Sequence, residues 1–202
     1  GSFLFCLGFA PALQRIRDRL GDCFLGAEID DLVVTSAPQL LPNCWDVVSE
    51  ELHRVNIQVV PNKSKVMLPQ HPSAHPSPPE NLPIEVTDAL TVVGIPVGSI
   101  HHIHSSFRKL KERHQRFLGK ICQLPSTQIA FLMLRYCAVA RNIYICRSLP
   151  PNTPGVTDFC EQIDEMNIDC LGQIAGCRSL SLPQKCQARL PTRLGGLGLT
   201  SL

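Results

Sequence analysis

Gly26-Ala-Glu-Ile-Asp-Asp-Leu-Val-Val-Thr35 sets two adjacent carboxylates, Asp30 and Asp31, between the short apolar runs Cys23-Phe24-Leu25 and Leu32-Val33-Val34. Apolar, β-branched runs of this length read as strands, so the acid pair is expected at or beside a tight hairpin bend. Asp is itself a favoured turn residue, which accounts for an acid at a bend without any function. Two neighbouring acids repel, however, and apolar flanks raise the desolvation cost of keeping both ionised, so a site that does so needs a cation. Mg²⁺ (or Mn²⁺) answers that need through its preference for hard oxygen ligands.

Upstream of the bend, residues 2 to 20 place Leu4, Phe5, Gly8, Ala12, Leu13, Ile16 and Leu20 near one helical face. Pro11 is expected to kink this helix, and Arg15-Ile-Arg-Asp-Arg19 to face solvent. Downstream, Leu41, Trp45, Val48, Leu52 and Val55 keep helical spacing behind Ser36, a candidate cap, and Pro38. Residues 56 to 68 read as strand, turn, strand, with Lys63 and Lys65 in or after the turn. Six prolines between 69 and 83 exclude a central ladder and predict an exposed, mobile loop. The run Leu90-Thr-Val-Val-Gly-Ile-Pro-Val-Gly98 then resumes as a strand.

From Ser105 the apolar period becomes helical: Phe107, Leu110, His114, Phe117, Leu118 and Ile121 on one face, then Ile129 to Tyr144, then Phe159 to Ile174. Residues 105 to 190 therefore form a helical module, broken at Pro150-Pro151 and Pro154-Gly155. In Leu190-Pro-Thr-Arg-Leu-Gly-Gly-Leu-Gly-Leu199 the leucines are expected to pack on it. The apolar stretch Gln128 to Cys146 is interrupted by Arg135, Arg141 and Asn142, so it reads as a core helix rather than a membrane span. His101-His102-Ile103-His104 has no acid or cysteine at ligand spacing and reads as a loop entering the module.

Composition is that of an ordinary folded chain: 202 residues, 44% hydrophobic and 18% charged, with a net charge of +2. Charge is unevenly spread. Residues 1 to 60 carry four arginines against eight acids, whereas Arg108, Lys109, Lys111, Arg113, Arg116 and Lys120 face Glu112 alone, a cluster suited to a polyanion. The ten cysteines contain no C-x-x-C and are read as buried thiols in a reducing compartment. With no leader or lipidation signal, the chain is expected to be intracellular, in cytoplasm or nucleus.

This order of elements resembles the palm and thumb of a reverse transcriptase of the non-LTR, LINE-like kind. Gly1-Ser-Phe-Leu-Phe-Cys-Leu-Gly-Phe-Ala-Pro-Ala-Leu13 resembles the second half of the segment leading into the palm helix. The Asp30-Asp31 hairpin resembles that family's acidic hairpin, although Glu28 stands where Tyr or Phe is usual. Asn62-Lys-Ser-Lys65 resembles a lysine motif near the incoming nucleotide, and Val93-Gly-Ile-Pro-Val-Gly98 a primer-grip strand. The fold class implied is α+β: a partial palm with an antiparallel sheet and helices on one face over residues 1–100, then a helical thumb over 101–202.

The resemblance implies two-metal nucleotidyl transfer in the intact parent, with Asp30 a principal Mg²⁺ ligand and Asp31 its neighbour. It also implies Lys65, or Lys63, near the triphosphate. The basic residues Arg108 to Lys120 would track the backbone of an RNA template–DNA primer duplex, with dNTP as substrate. The chain begins inside the palm helix, so fingers and a first metal-binding Asp are expected to be missing and the polypeptide to be inactive alone. The alternative is a non-catalytic nucleic-acid-binding module or a structural remnant of a retroelement.

Overall fold

The structure, a computed structural model, describes residues 2–68, 82–177 and 179–202. It is mixed α+β with helix predominating, and it divides into two compact units, one ending at Ser99 and one spanning Ile100–Leu202. Most of the proline-rich stretch, residues 69–81, lies outside the described residues, so its expected loop is not placed.

In the first unit, helix α1 (Ser2–Leu20) runs through Pro11 without a break and leads into the hairpin β1 (Phe24–Glu28) and β2 (Asp31–Thr35). Helix α2 (Leu41–His53) follows a 3₁₀ turn at Pro38–Leu40. Their apolar faces meet around Phe9, Ala12, Ile16, Leu20, Cys44, Val47, Val48 and Leu52, all buried. Burial on α1 starts only at Phe9. Phe3, Leu4 and Leu7 are more than half exposed, so the expected stripe is half as long as its sequence spacing. Ser36 is not a cap, because its hydroxyl donates to the Ala37 carbonyl and neither the 3₁₀ turn nor α2 has a side-chain cap.

One antiparallel palm-like sheet was expected. Among the described residues three separate two-stranded ladders are found instead. Val55, Ile57 and Val59 place side chains against the α1–α2 core, but residues 57–60 form no ladder, so their alternation records packing and not pairing. The strand after the Pro61–Lys63 turn, β3 (Lys65–Met67), pairs in parallel with β4 (Glu85–Thr87).

The expected single strand at 90–98 is a hairpin, β5 (Ala89–Val92) and β6 (Ile95–Gly98), in antiparallel register. Its two central turn residues, Val93 and Gly94, both have positive φ, +49° and +81°, the condition for a primed hairpin turn. Gly98, at φ +111°, closes β6 where a Cβ would stand 2.3 Å from the Asp88 carbonyl oxygen and 2.6 Å from the Ala89 Cα. Only glycine fits there.

In the second unit, helix α3 (Ile100–Cys122) begins five residues earlier than its periodicity suggests. The three histidines therefore lie on its first turns and not in a loop. Next comes a helical run of α4 (Thr127–Met133), a π turn at Leu134–Ala138, α5 (Val139–Arg141) and α6 (Ile143–Ser148). Ser126 caps it by accepting from the Ile129 amide. Among the described residues this run alone is long and apolar enough to cross a membrane, but Ala130, Leu134, Ala138 and Val139 are buried in the unit's own core.

Helices α7 (Val156–Ile174) and α8 (Leu182–Arg189), the latter with a Ser181–Gln184 capping box, complete the unit. Phe107 of α3 stacks on Phe159 of α7 with ring centroids 4.6 Å apart. Of the C-terminal leucines only Leu199 is buried, while Leu190, Leu194 and Leu197 stay exposed, so the expectation that all would pack is corrected to one.

The cysteines also depart from expectation. Cys44 and Cys170 are buried, but Cys6, Cys137, Cys177 and Cys186 are exposed, because each lies on the outer side of its helix or in a loop.

Candidate nucleic-acid interface and acidic hairpin

Strand alternation decides where the hairpin's side chains go. The pairs Leu25↔Val34 and Ala27↔Leu32 share one face, and Leu25, Leu32 and Val34 pack on the α1–α2 core. The opposite face carries Glu28 directly across from Asp31. The two-residue connection is Ile29-Asp30, so both aspartates stand exposed at the tip. Ile29 has φ +54°, a left-handed conformation that a β-branched residue adopts at a cost of about 1–3 kcal/mol. No group of three or more His, Cys, Asp or Glu among the described residues is arranged to hold a metal ion.

Lys65 opens β3 and makes an ion pair with Glu85, its register partner on β4, at 3.1 Å. The contact joins residues twenty apart in sequence across the proline-rich stretch, so local spacing carried no sign of it. Lys63 lies exposed in the 3₁₀ turn before it.

Sequence reasoning missed the main electrostatic feature of this unit. The Glu51 side chain on α2 is 1% exposed, and its carboxylate accepts from Arg15 at 2.8 Å, Arg19 at 2.7 Å and Arg54 at 3.0 Å. Glu50 beside it pairs with Arg19 and Arg54. The arginines themselves are 39–54% exposed, so Glu51 is shielded from water by its own partners near the surface. The hydrogen bonds from Arg15 and Arg19, followed by the nearby Arg54 charge, hold the Glu51 carboxyl below its ordinary value. The i,i+4 spacing of Glu50 and Arg54 was the available signal, but the two partners on α1 come from tertiary packing. Three of this unit's arginines are therefore committed internally.

On α3 the apolar and basic residues separate cleanly. Ile103, Phe107, His114, Leu118 and Ile121 are buried, whereas Arg108, Lys109, Arg113, Arg116 and Lys120 are exposed. Lys111 is half-buried and donates to Gln162 of α7. Among the described residues none of these six cations is in an ion pair with a carboxylate. Between Glu112 and Asp158 the sequence has no acid. Arg141 adds a cation against α3, its guanidinium 5.2 Å from the Phe117 ring centroid. The cations lie between Arg108 and Lys120 of α3 with Glu112 the one acid among them, and such a surface attracts polyanions.

Beneath this face lies His114, 1% exposed. Its Nε2 is 2.9 Å from Asn167 Oδ1, and Asn142 Nδ2 is 3.2 Å from its Nδ1. Since Oδ1 only accepts and Nδ2 only donates, this network fits a neutral imidazole with its proton on Nε2. Burial, the largest cause, and the Arg141 charge push its pKa down from the ordinary value of 6.5, against the opposing Asn167 bond. The network ties α3 to α7 and to the residue between α5 and α6, which rigidifies the platform under the basic residues.

Set against protein-family models, curated proteins and solved structures, the chain matches none.

Proposed function

We propose that this chain is the palm-and-thumb portion of a non-LTR reverse transcriptase, an RNA-directed DNA polymerase, with its nucleic-acid contact on α3. The observation that carries the reading is the placement of Asp30 and Asp31 at the exposed tip of a hairpin whose other face is seated on α1 and α2. An acid pair held out on a supported hairpin can meet a primer terminus, which a buried or ion-paired one could not do without cost. The order of α1, hairpin, α2, Lys65 strand, Val93–Gly98 hairpin and basic helix is also the order that the resemblance implies.

Two adjacent carboxylates suit Mg²⁺, which takes one or two protein carboxylates and completes its shell with water and substrate phosphates. Asp30 and Asp31 would hold it. When bound, the metal supplies activation of a primer 3′-hydroxyl and charge stabilisation at the departing pyrophosphate. Lys65 would turn to the triphosphate by giving up its exposed pair with Glu85, a contact of the kind worth about 0–1 kcal/mol. The α3 cations would bind phosphates of the RNA–DNA duplex without reading bases.

Glu28 stands across from Asp31, but among the described residues no group of three or more His, Cys, Asp or Glu is arranged to hold a metal ion, so the 202-residue polypeptide is expected not to extend a primer by itself. Primer extension on an RNA template with Mg²⁺ or Mn²⁺ tests this. The expected outcome is no product, and extension that Asp30→Ala and Asp31→Ala abolish would overturn it. A second reading, a non-catalytic nucleic-acid-binding module, is favoured by the uncompensated charge of α3. It predicts duplex binding with no metal requirement.

A further inference from the structure

Six of the ten cysteines meet in three thiol pairs, two of them joining different helices and one joining the segment before β1 to α2. Cys23, just before β1, lies with its Sγ 3.9 Å from that of Cys44 on α2. Cys122 at the end of α3 is 3.4 Å from Cys170 on α7, and Cys146 on α6 is 3.3 Å from Cys160 on α7. All six are free thiols. A disulfide needs a sulfur separation of about 2.05 Å, so closure asks the paired sulfurs to approach by between about 1 and 2 Å. The remaining four, Cys6, Cys137, Cys177 and Cys186, are exposed and meet no other thiol among the described residues.

From this arrangement we infer that the chain carries three built-in oxidation sites, at which a small peroxide converts the pairs Cys23–Cys44, Cys122–Cys170 and Cys146–Cys160 into disulfides. The inference is independent of the nucleic-acid reading. The oxidant must be small because every pair contains at least one half-buried and no exposed sulfur. In the first step one thiol sulfur attacks hydrogen peroxide, the O–O bond breaks, and the sulfur is oxidised to a sulfenic acid as one water leaves. In the second, the partner thiol attacks that sulfur, the S–O bond breaks, and the hydroxyl leaves with the partner's proton as a second water.

Access and burial assign the roles. Cys122 is half-buried and Cys170 buried, so Cys122 meets peroxide first. Burial, as the largest cause, holds the Cys146 and Cys170 thiols up at about 12, which makes both poor primary nucleophiles. In the second step the sulfur they attack already lies in contact, and their proton passes to the departing hydroxyl as they attack. Two of the bonds would anchor α7, at Cys160 and Cys170, to α6 and α3 respectively. The third would tie the entry of the acidic hairpin to α2.

The test is peptide mapping of the folded chain after stoichiometric hydrogen peroxide, with remaining thiols blocked by N-ethylmaleimide before digestion. The expected result is three cross-linked peptide pairs, 23–44, 122–170 and 146–160, each lighter by two hydrogens and restored by dithiothreitol. Cross-links scattered among other cysteines would overturn the inference, as would alkylation or over-oxidation of all six. Cys160→Ser sharpens the test. Cys146 must then be recovered alkylated, and its capture by a different cysteine would contradict the pairing.

Discussion

The two units handle charge in opposite ways. Up to Ser99, Arg15, Arg19 and Arg54 are gathered on Glu50 and Glu51, and Lys65 is spent on Glu85. What remains unneutralised at the hairpin is acid: Glu28, Asp30 and Asp31. From Ile100 onward Lys185 pairs with Glu165, but the α3 cations pair with no carboxylate among the described residues, and His114 is buried as a neutral imidazole between Asn142 and Asn167. The net charge therefore conceals two surfaces of opposite sign. A chain at +2 contains one exposed acidic tip and one exposed basic face.

The strongest way to break this comparison is to remove one unit's core and observe the other. Phe159 is 2% exposed and stacked on Phe107. Phe159→Ala should destabilise the helical unit by roughly 3–5 kcal/mol. Trp45, the single tryptophan, sits on α2, so its fluorescence reports the first unit. In urea, far-UV circular dichroism should show an early transition with the Trp45 transition unmoved. A common shift of both signals would show one cooperative body.

Titration separates the units next, with signs set by the direction of each shift. Glu50 and Glu51 have lowered folded pKa values, so their contribution is complete above the ordinary value of 4.5 and is lost as pH falls through the lowered values. His114 is also lowered, which for histidine means that burial favours the neutral form. Its contribution is complete above 6.5 and declines as pH falls toward its folded value. Acidification should therefore weaken the helical unit first, between neutrality and the carboxylate range, and the Trp45 unit only later. His114→Gln should remove the earlier phase, and an unchanged profile would contradict the assignment.

The smallest effect concerns the strained tip. Ile29→Gly should raise the urea stability of the Trp45 unit by about 1 kcal/mol, because glycine takes φ +54° without the cost of a β-branch. A loss of stability would mean that Ile29 contributes packing despite its 48% exposure.

How much of this was legible follows from the range of each interaction. The Asp30-Asp31 bend, the helical faces of α3 and α7 and the basic cluster are local features that sequence carried, whereas on α2 only Val48 and Leu52 of the expected stripe are buried, with Cys44, Val47 and Glu51 beside them. Glu51 was unreadable because its partners arrive from α1 by packing. The β3–β4 parallel pairing was equally hidden, since its strands are joined through residues that carry no pairing signal. Residues 90–98 read as one strand because Val93, a β-branched residue, sits in a turn at φ +49° against its own preference. The three thiol pairs, 14 to 48 residues apart, have no regular spacing to reveal them.

If the acidic tip and the basic helix perform separate tasks, duplex binding depends on α3 alone. Fluorescence anisotropy with a labelled RNA–DNA duplex, titrated across salt concentrations, should show binding whose log K falls linearly with log salt. Asp30→Ala/Asp31→Ala should leave that line unchanged. Lys109→Glu/Arg113→Glu should weaken binding by at least about tenfold and flatten the slope by about 2. Absence of binding at low salt, or binding that depends on the aspartates and not on α3, would contradict it.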